Sequence, residues 1–219
     1  MVNESEVLKM IKKAKESSKK LKFKQSIDLI MTFKDIDVKK GFAINEIIQL
    51  PKTSAPALVC VMATGDMNLK AKTAKADMVV DTDELNKLGT NKRESRKFVG
   101  RYDFFLADTK LMPLVGKVLG QILGPRGKMP TPVPFNAPIE SFLDRFRSSV
   151  RVRVRSSLAM SCKIGNEGMD DADLVANALV IINAVEKKLP NGEKNIKRVL
   201  VKTTMGPIIK QVIQARKKG

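Results

Sequence analysis

The chain has 219 residues, 43% of them hydrophobic and only 5% aromatic, with no tryptophan. That is long enough for one large domain or two small aliphatic-cored ones, and too apolar for a disordered chain. Lys and Arg number 41 against 23 Asp and Glu, a net charge of +18 that attracts polyanions, nucleic acid first and an anionic membrane second. Histidine is absent, which removes the commonest general base and metal ligand and every Ser-His or Cys-His pair.

The first twenty residues, "MVNESEVLKMIKKAKESSKK", lack the continuous apolar core and cleavage site of a signal peptide. No apolar run approaches the length that spans a bilayer, so a cytoplasmic protein is expected. Residues 4–20 predict a helix, because Val7, Met10, Ile11 and Ala14 recur at helical spacing. "FKQSIDLIMTF" alternates and predicts a strand, with Phe23, Gln25, Ile27, Leu29 and Met31 on one face and Ser26 and Asp28 on the other. "FAINEIIQL" predicts a second strand, and "LPKTSAP" a turn or linker.

The pattern then changes. "ALVCVMAT" is a continuous apolar run, as in a strand buried on both faces. A helix over 67–76, a strand at "ADMVV", a helix capped by Asp81 and a strand at "RYDFFLA" follow. Asp108 or Thr109 then starts a helix with Leu111, Val115, Val118 and Ile122 on one side and Pro113 in its first turn. Strands alternating with helices predict an α/β layer on a parallel sheet. The pattern switches back at "VRVRVRSSLAMSCKIG", which reads as one long antiparallel strand. "DADLVANALVIINAVEKKL" predicts a helix opened by an Asp cap, and "IKRVLVKTT" a final strand. The economical architecture is an α+β domain built from both chain ends, residues 1–57 and 157–219, with an α/β domain inserted at 58–156. Cys60 and Cys162 sit in strand-like runs and read as buried thiols in a reducing compartment, although sequence spacing leaves their pairing open.

"GQILGPRGKMPTP", residues 120–132, invites comparison with a phosphate-binding loop. A Walker loop ending at Gly127-Lys128 needs glycine at 122 and a hydroxyl at 129, where this chain has Ile122 and Met129. A dinucleotide fingerprint fails at Ile122 too, and both motifs follow a strand rather than a helix. Gly124 suits a left-handed helix cap, and Pro125 reads as a helix stop. Arg126 and Lys128 either decorate that cap or project charge from it toward phosphate; the residues leave both open. "DDAD" at 170–173 opens a helix, and dipole stabilisation explains it better than metal binding. "KTTMGP", Lys202 to Pro207, offers two hydroxyls, a thioether and a glycine at a strand exit, a surface suited to RNA.

Together "LVGKVLGQILGPRGKMPTP" (114–132), "TTMGP" (203–207) and "KFKQSIDL" (22–29) resemble the L-one family of large-subunit ribosomal proteins, and archaeal members most. The resemblance covers essentially the whole chain. It implies a discontinuous RNA-binding domain and an inserted three-layer, Rossmann-like α/β domain. It implies binding to large-subunit ribosomal RNA at a mobile stalk, contact with exit-site tRNA, and repression of the protein's own messenger RNA through a mimic structure. By match to the family motif it nominates Thr203, Thr204, Met205, Gly206 and Pro207, with Phe23, Ser26 and Asp28, as RNA contacts, and Lys22 and Lys163 as phosphate partners. Gly124, Arg126, Gly127 and Lys128 become a structural loop or secondary RNA contact. Arg198 stands where the family often has a small or hydroxyl residue, which leaves that contact open. The expectation is a ribosome-bound cytoplasmic protein, monomeric outside the ribosome, without catalytic residues, metal, cofactor or membrane partner. The competing readings are a nucleotide-dependent enzyme built on the inserted α/β domain and, less favoured, a membrane-surface protein.

Overall fold

The computed structural model describes residues 3–19, 21–36, 42–134, 138–155 and 157–212. Lys20 and Ser156, which bound predicted segments, lie outside the described residues. The chain divides into two compact units, Met1–Ala55 with Val150–Gly219, and Pro56–Ser149.

The end-built unit starts with α1 (Glu4–Glu16), which opens on a capping box between Asn3 and Glu6. Its buried residues are Val7, Met10, Ile11 and Ala14, the four picked out by helical spacing. The sheet has the order β10-β9-β1-β8, formed by β1 (Ser26–Phe33), β8 (Ala159–Asn166), β9 (Ile196–Thr203) and β10 (Ile209–Val212). β1 is central and antiparallel to both neighbours. It alternates without a break, so Ile27, Leu29, Met31 and Phe33 all face the core. That core also takes Leu174, Val175, Ala178, Ile181, Ile182 and Val185 of α7 (Asp171–Glu186). Lys15 clamps α1 to α7 through a 2.6 Å ion pair with Asp171. Both helices therefore lie on one face of the sheet, and the opposite face carries no helix among the described residues.

Four expectations change in this unit. "VRVRVRSSLAMSCKIG" is two strands, not one. β7 (Ser149–Val154) pairs with β2 (Ile44–Gln49) in a separate two-stranded sheet, and only β8 joins β1. The pattern could not show this, because alternation continues across the break. Pairing with β2 also places the second unit boundary at Val150 rather than after Ser156. β9 is not the last strand, since β10 returns beside it after the turn at 204–208. Asp170 is the N-cap residue of α7, but its side chain makes no cap hydrogen bond.

The inserted unit has a four-stranded parallel sheet of order β4-β3-β5-β6, from β3 (Val59–Met62), β4 (Met78–Val80), β5 (Phe104–Asp108) and β6 (Thr131–Val133). β3 and β5 are buried at every residue, as their continuous apolar runs predict. Cys60, Met62, Phe105 and Ala107 share a core with α3 (Thr82–Thr90), α4 (Lys92–Arg101) and α5 (Met112–Arg126). On the other face Phe104 meets Phe146 of α6 (Ile139–Arg147) edge-on, and α2 (Asp66–Thr73) packs beside α6. Helices thus cover both sheet faces. α5 begins at Met112, later than Asp108 or Thr109, with Pro113 in its first turn. Its buried stripe is Val115, Leu119 and Leu123, while Val118 and Ile122 are only partly covered. Cys60 and Cys162 are both free and buried. Burial pushes both thiols up, Cys162 to about 12, so neither is a thiolate nucleophile at neutral pH.

Candidate nucleic-acid interface

The strand exit after β9 is locked onto the start of β1. Thr204 donates its backbone N–H to the Ser26 carbonyl at 3.0 Å. The Thr204 hydroxyl accepts from the Ser26 N–H at 3.0 Å and donates to the Ser26 carbonyl at 3.3 Å. Gln25 is fully buried and acts as a latch. Its Oε1 accepts from the Met205 N–H at 3.1 Å, and its Nε2 donates to Ser18 Oγ and the Lys19 carbonyl. One amide side chain thereby ties three segments together: the end of α1, the start of β1 and the 203–206 turn. The sequence showed Gln25 only as a polar residue on an apolar face.

Among the expected contacts, Thr203 lies beneath this scaffold. Thr203 is fully buried, and Gly206 lies directly over its hydroxyl, where any Cβ would overlap Thr203 Oγ1. The glycine is required by that close approach. Thr204 is exposed, and its hydroxyl is already engaged with Ser26. Met205, in contrast, stands out at 71% exposure and Phe23 at 52%. Phe23 precedes β1 in a bend instead of continuing its core face, and Lys22 and Pro207 are exposed as well. Phe23 and Met205 are both large apolar side chains held in water, and Met205 lies on a turn that Gln25 ties to the start of β1.

Next to this corner the open sheet face carries a cross-strand row. Asp28 in β1 is paired with Lys163 of β8 on one side and Lys202 of β9 on the other. A bulge at Ile27/Asp28 brings Lys163 into that register. Partial burial raises the Asp28 pKa above the usual carboxylate value, against the opposing pull of Lys202 and Lys163. Further along the same face, Arg198 pairs with Thr32 and is exposed. Lys202 and Arg198 belong to this face although no motif match nominated Lys202. Their signal was the alternation of "IKRVLVKTT", where Arg198, Leu200 and Lys202 share one side.

The glycine loop resolves differently. α5 runs through Gly124 and Pro125 to Arg126, and the left-handed cap is Gly127, with φ 68°. Pro125 sits in the last turn without ending the helix. Lys128 Nζ donates to the carbonyls of Val99 and Tyr102, and Arg126 donates to the Arg96 carbonyl at 3.3 Å. Lys128 thereby satisfies carbonyls at the C-terminal end of α4, whereas Arg126 bonds a carbonyl in the middle of that helix. Lys128 is half-buried in that role and does not project as a free charge.

Among the described residues no helix is long and apolar enough to cross a membrane. Residues 11–207 match the model of the ribosomal protein L1p/L10e family. The chain is 72% identical over 211 residues to the large ribosomal subunit protein uL1 of Cenarchaeum symbiosum, covering 96% of this chain and 98% of that protein. It is 47% identical over 204 residues to the Thermofilum pendens uL1, covering 91% and 90%, and 39% identical over 211 residues to that of Methanothermobacter thermautotrophicus, covering 95% and 100%. Similarity of this depth across nearly the full chain replaces the nucleotide-enzyme alternative: the chain is not an enzyme and belongs to the ribosomal protein L1p/L10e family.

Proposed function

We propose that this chain is a constituent of the large ribosomal subunit that binds large-subunit ribosomal RNA in the cytoplasm. The end-built unit is the RNA-binding domain, and the 56–149 unit is an inserted, Rossmann-like domain. The observation that carries the reading is the corner where Phe23 and Met205 stand exposed beside the Lys163–Asp28–Lys202 row. Lys22, Lys163 and Lys202 supply phosphate attraction without sequence preference. Phe23 and Met205 supply apolar faces for a displaced base or a ribose. Asp28 and Ser26 accept from 2′-hydroxyls or base amines. Gly206 and Pro207 hold the turn close to the nucleic acid, with Thr203 as the floor beneath them.

The same reading extends, through the family resemblance, to the mobile stalk, exit-site tRNA and a mimic structure on the protein's own messenger RNA. The protein acts there as a monomer outside the ribosome. The test is Met205→Asp, which replaces an apolar contact by an anion facing phosphates. Its affinity for a stalk-region ribosomal RNA transcript should fall at least tenfold at fixed salt, about 1.4 kcal/mol or more. The melting temperature should stay near the parent's, because the side chain is exposed. A folded variant that binds as tightly as the parent would remove this corner from the interface.

A further inference from the structure

α4 was not visible as an element in the sequence, and it carries a charge pattern that the interface above does not use. Lys92, Arg93, Arg96, Lys97 and Arg101 lie on this one helix against the single acid Glu94. All five basic residues are exposed, and none has an acidic partner among the described residues. They form two rows at four-residue spacing, Lys92/Arg96 and Arg93/Lys97/Arg101. Four residues of helix rise about 6 Å, which is of the order of the distance between successive phosphates along a strand. The Lys92/Arg96 row borders a groove of about 280 Å³ between α4 and α5, closed on the α5 side by Gln121, Ile122, Pro125 and Arg126. Arg126 is pinned there by its bond to the Arg96 carbonyl, which fixes a third cation at the groove edge.

The helix N-terminus is not the attraction, because Asn91 already accepts from the N–H groups of Arg93 and Glu94. The side chains are. We propose that the α4–α5 groove is a second anion-binding surface that takes the sugar-phosphate backbone of an RNA strand. This rests on the RNA-binding reading above and moves the inserted unit's contact from the glycine loop, whose Lys128 is spent on carbonyls, to the helix beside it. The occupant is a nucleic-acid backbone because the charges are regular and of one sign. No large exposed hydrophobic residue lies on α4 or α5 among the described residues, so the apolar anchors that dominate protein–protein interfaces are missing here.

The experiment uses the full chain and two transcripts, a short one carrying only the primary stalk site and a longer one carrying the flanking strands. Lys92→Gln with Arg96→Gln is compared with Lys9→Gln and Lys12→Gln, which removes the same charge from the exposed side of α1. On the longer transcript the α4 variant should lower the slope of log affinity against log salt by roughly 0.7–0.9 for each phosphate it no longer neutralises. On the short transcript it should match the parent, and the α1 variant should match the parent on both. Equal weakening in the α4 and α1 variants would reduce the effect to net charge and overturn the proposal. So would an unchanged slope on the longer transcript, or a loss confined to binding of poly-glutamate, which marks an acidic protein partner. If the parent fails to bind the short transcript specifically, the proposed function itself falls and the groove with it. If the parent binds the short transcript and only the groove effect is missing, the groove alone is wrong. A thiol placed by Lys97→Cys is selectively labelled, because Cys60 and Cys162 are buried. Tethered to it, an iron chelate should cleave strands present only in the longer transcript, and no cleavage there would also overturn the proposal.

Discussion

Two glycine-containing stretches stand out along this chain, and the fold uses them in opposite ways. At 203–207 the backbone is tied down by Ser26 and Gln25, and the side chain of Met205 is left in water. At 124–128 the side chains are tied down, since Lys128 closes the end of α4 and Arg126 bonds the Arg96 carbonyl in its middle. One stretch spends its hydrogen bonds on presenting a surface; the other uses its charges to hold a helix. The composition of a motif does not separate these cases. The location of its hydrogen-bond partners does.

The sharpest way to break that contrast is to exchange glycine for alanine in each stretch. Gly206→Ala pushes a methyl group into the buried Thr203 hydroxyl, and overpacking of this kind costs about 1–3 kcal/mol. The turn should shift, and both the melting temperature and RNA affinity should fall. Gly124→Ala places a methyl group clear of the rest of the fold, where the gain in helix propensity is offset by the clash of a Cβ with the ring of Pro125, so stability should change by less than about 1 kcal/mol. Thermal or denaturant unfolding of the two variants checks that Gly206→Ala is the more damaging. A Gly124→Ala protein destabilised as much as Gly206→Ala would remove the contrast between the two stretches.

The same two stretches measure what the sequence made legible. The core face of α1, the alternation of β1 and the doubly buried β3 and β5 were readable, because periodicity records burial directly. α4 was missed because its interior contains few apolar residues, with Ser95 and Val99 its buried positions. β6 was hidden by Pro132, which an edge strand tolerates. At the candidate site, motif matching nominated Met205 and Phe23, which are exposed, and Thr203, whose side chain is buried. It also named Gly124 as the left-handed cap in place of Gly127. Burial of a single strand-end residue depends on the turn above it, and that turn is fixed by Gln25 from a distant segment.

A second variant sharpens the other half of the contrast. Lys128→Met keeps the aliphatic stem and removes the ammonium that bonds the Val99 and Tyr102 carbonyls. Hydrogen bonds to a charged group contribute about 1.5–3 kcal/mol, so unfolding free energy should drop by about 2 kcal/mol. RNA affinity of the folded variant for a short primary-site transcript should match the parent's. Met205→Asp should do the reverse, losing affinity and keeping stability. A Lys128→Met protein that is fully stable but binds weakly would return Lys128 to the nucleic-acid surface.

The smallest effect is expected at Asp28, where stability and binding should move in opposite directions. Its carboxyl is partly buried, and that desolvation outweighs the attraction of Lys202 and Lys163, so its folded pKa lies above the ordinary carboxylate value. Between the ordinary and the raised value the folded state holds more proton than the unfolded one. Stability from this group is therefore present at low pH and is lost as pH rises through the raised pKa. At neutral pH the ionised carboxylate is a mild cost to folding. Asp28→Asn removes that cost and should leave the protein as stable or slightly more stable at pH 7, with a flatter stability profile through the acidic range. If Asp28 accepts a hydrogen bond from a 2′-hydroxyl or base amine, the same variant should bind RNA more weakly, despite carrying one more net positive charge. Paired unfolding and binding titrations across pH decide it. A variant that binds more tightly in step with its added positive charge would show that Asp28 only spaces the two lysines and touches no RNA.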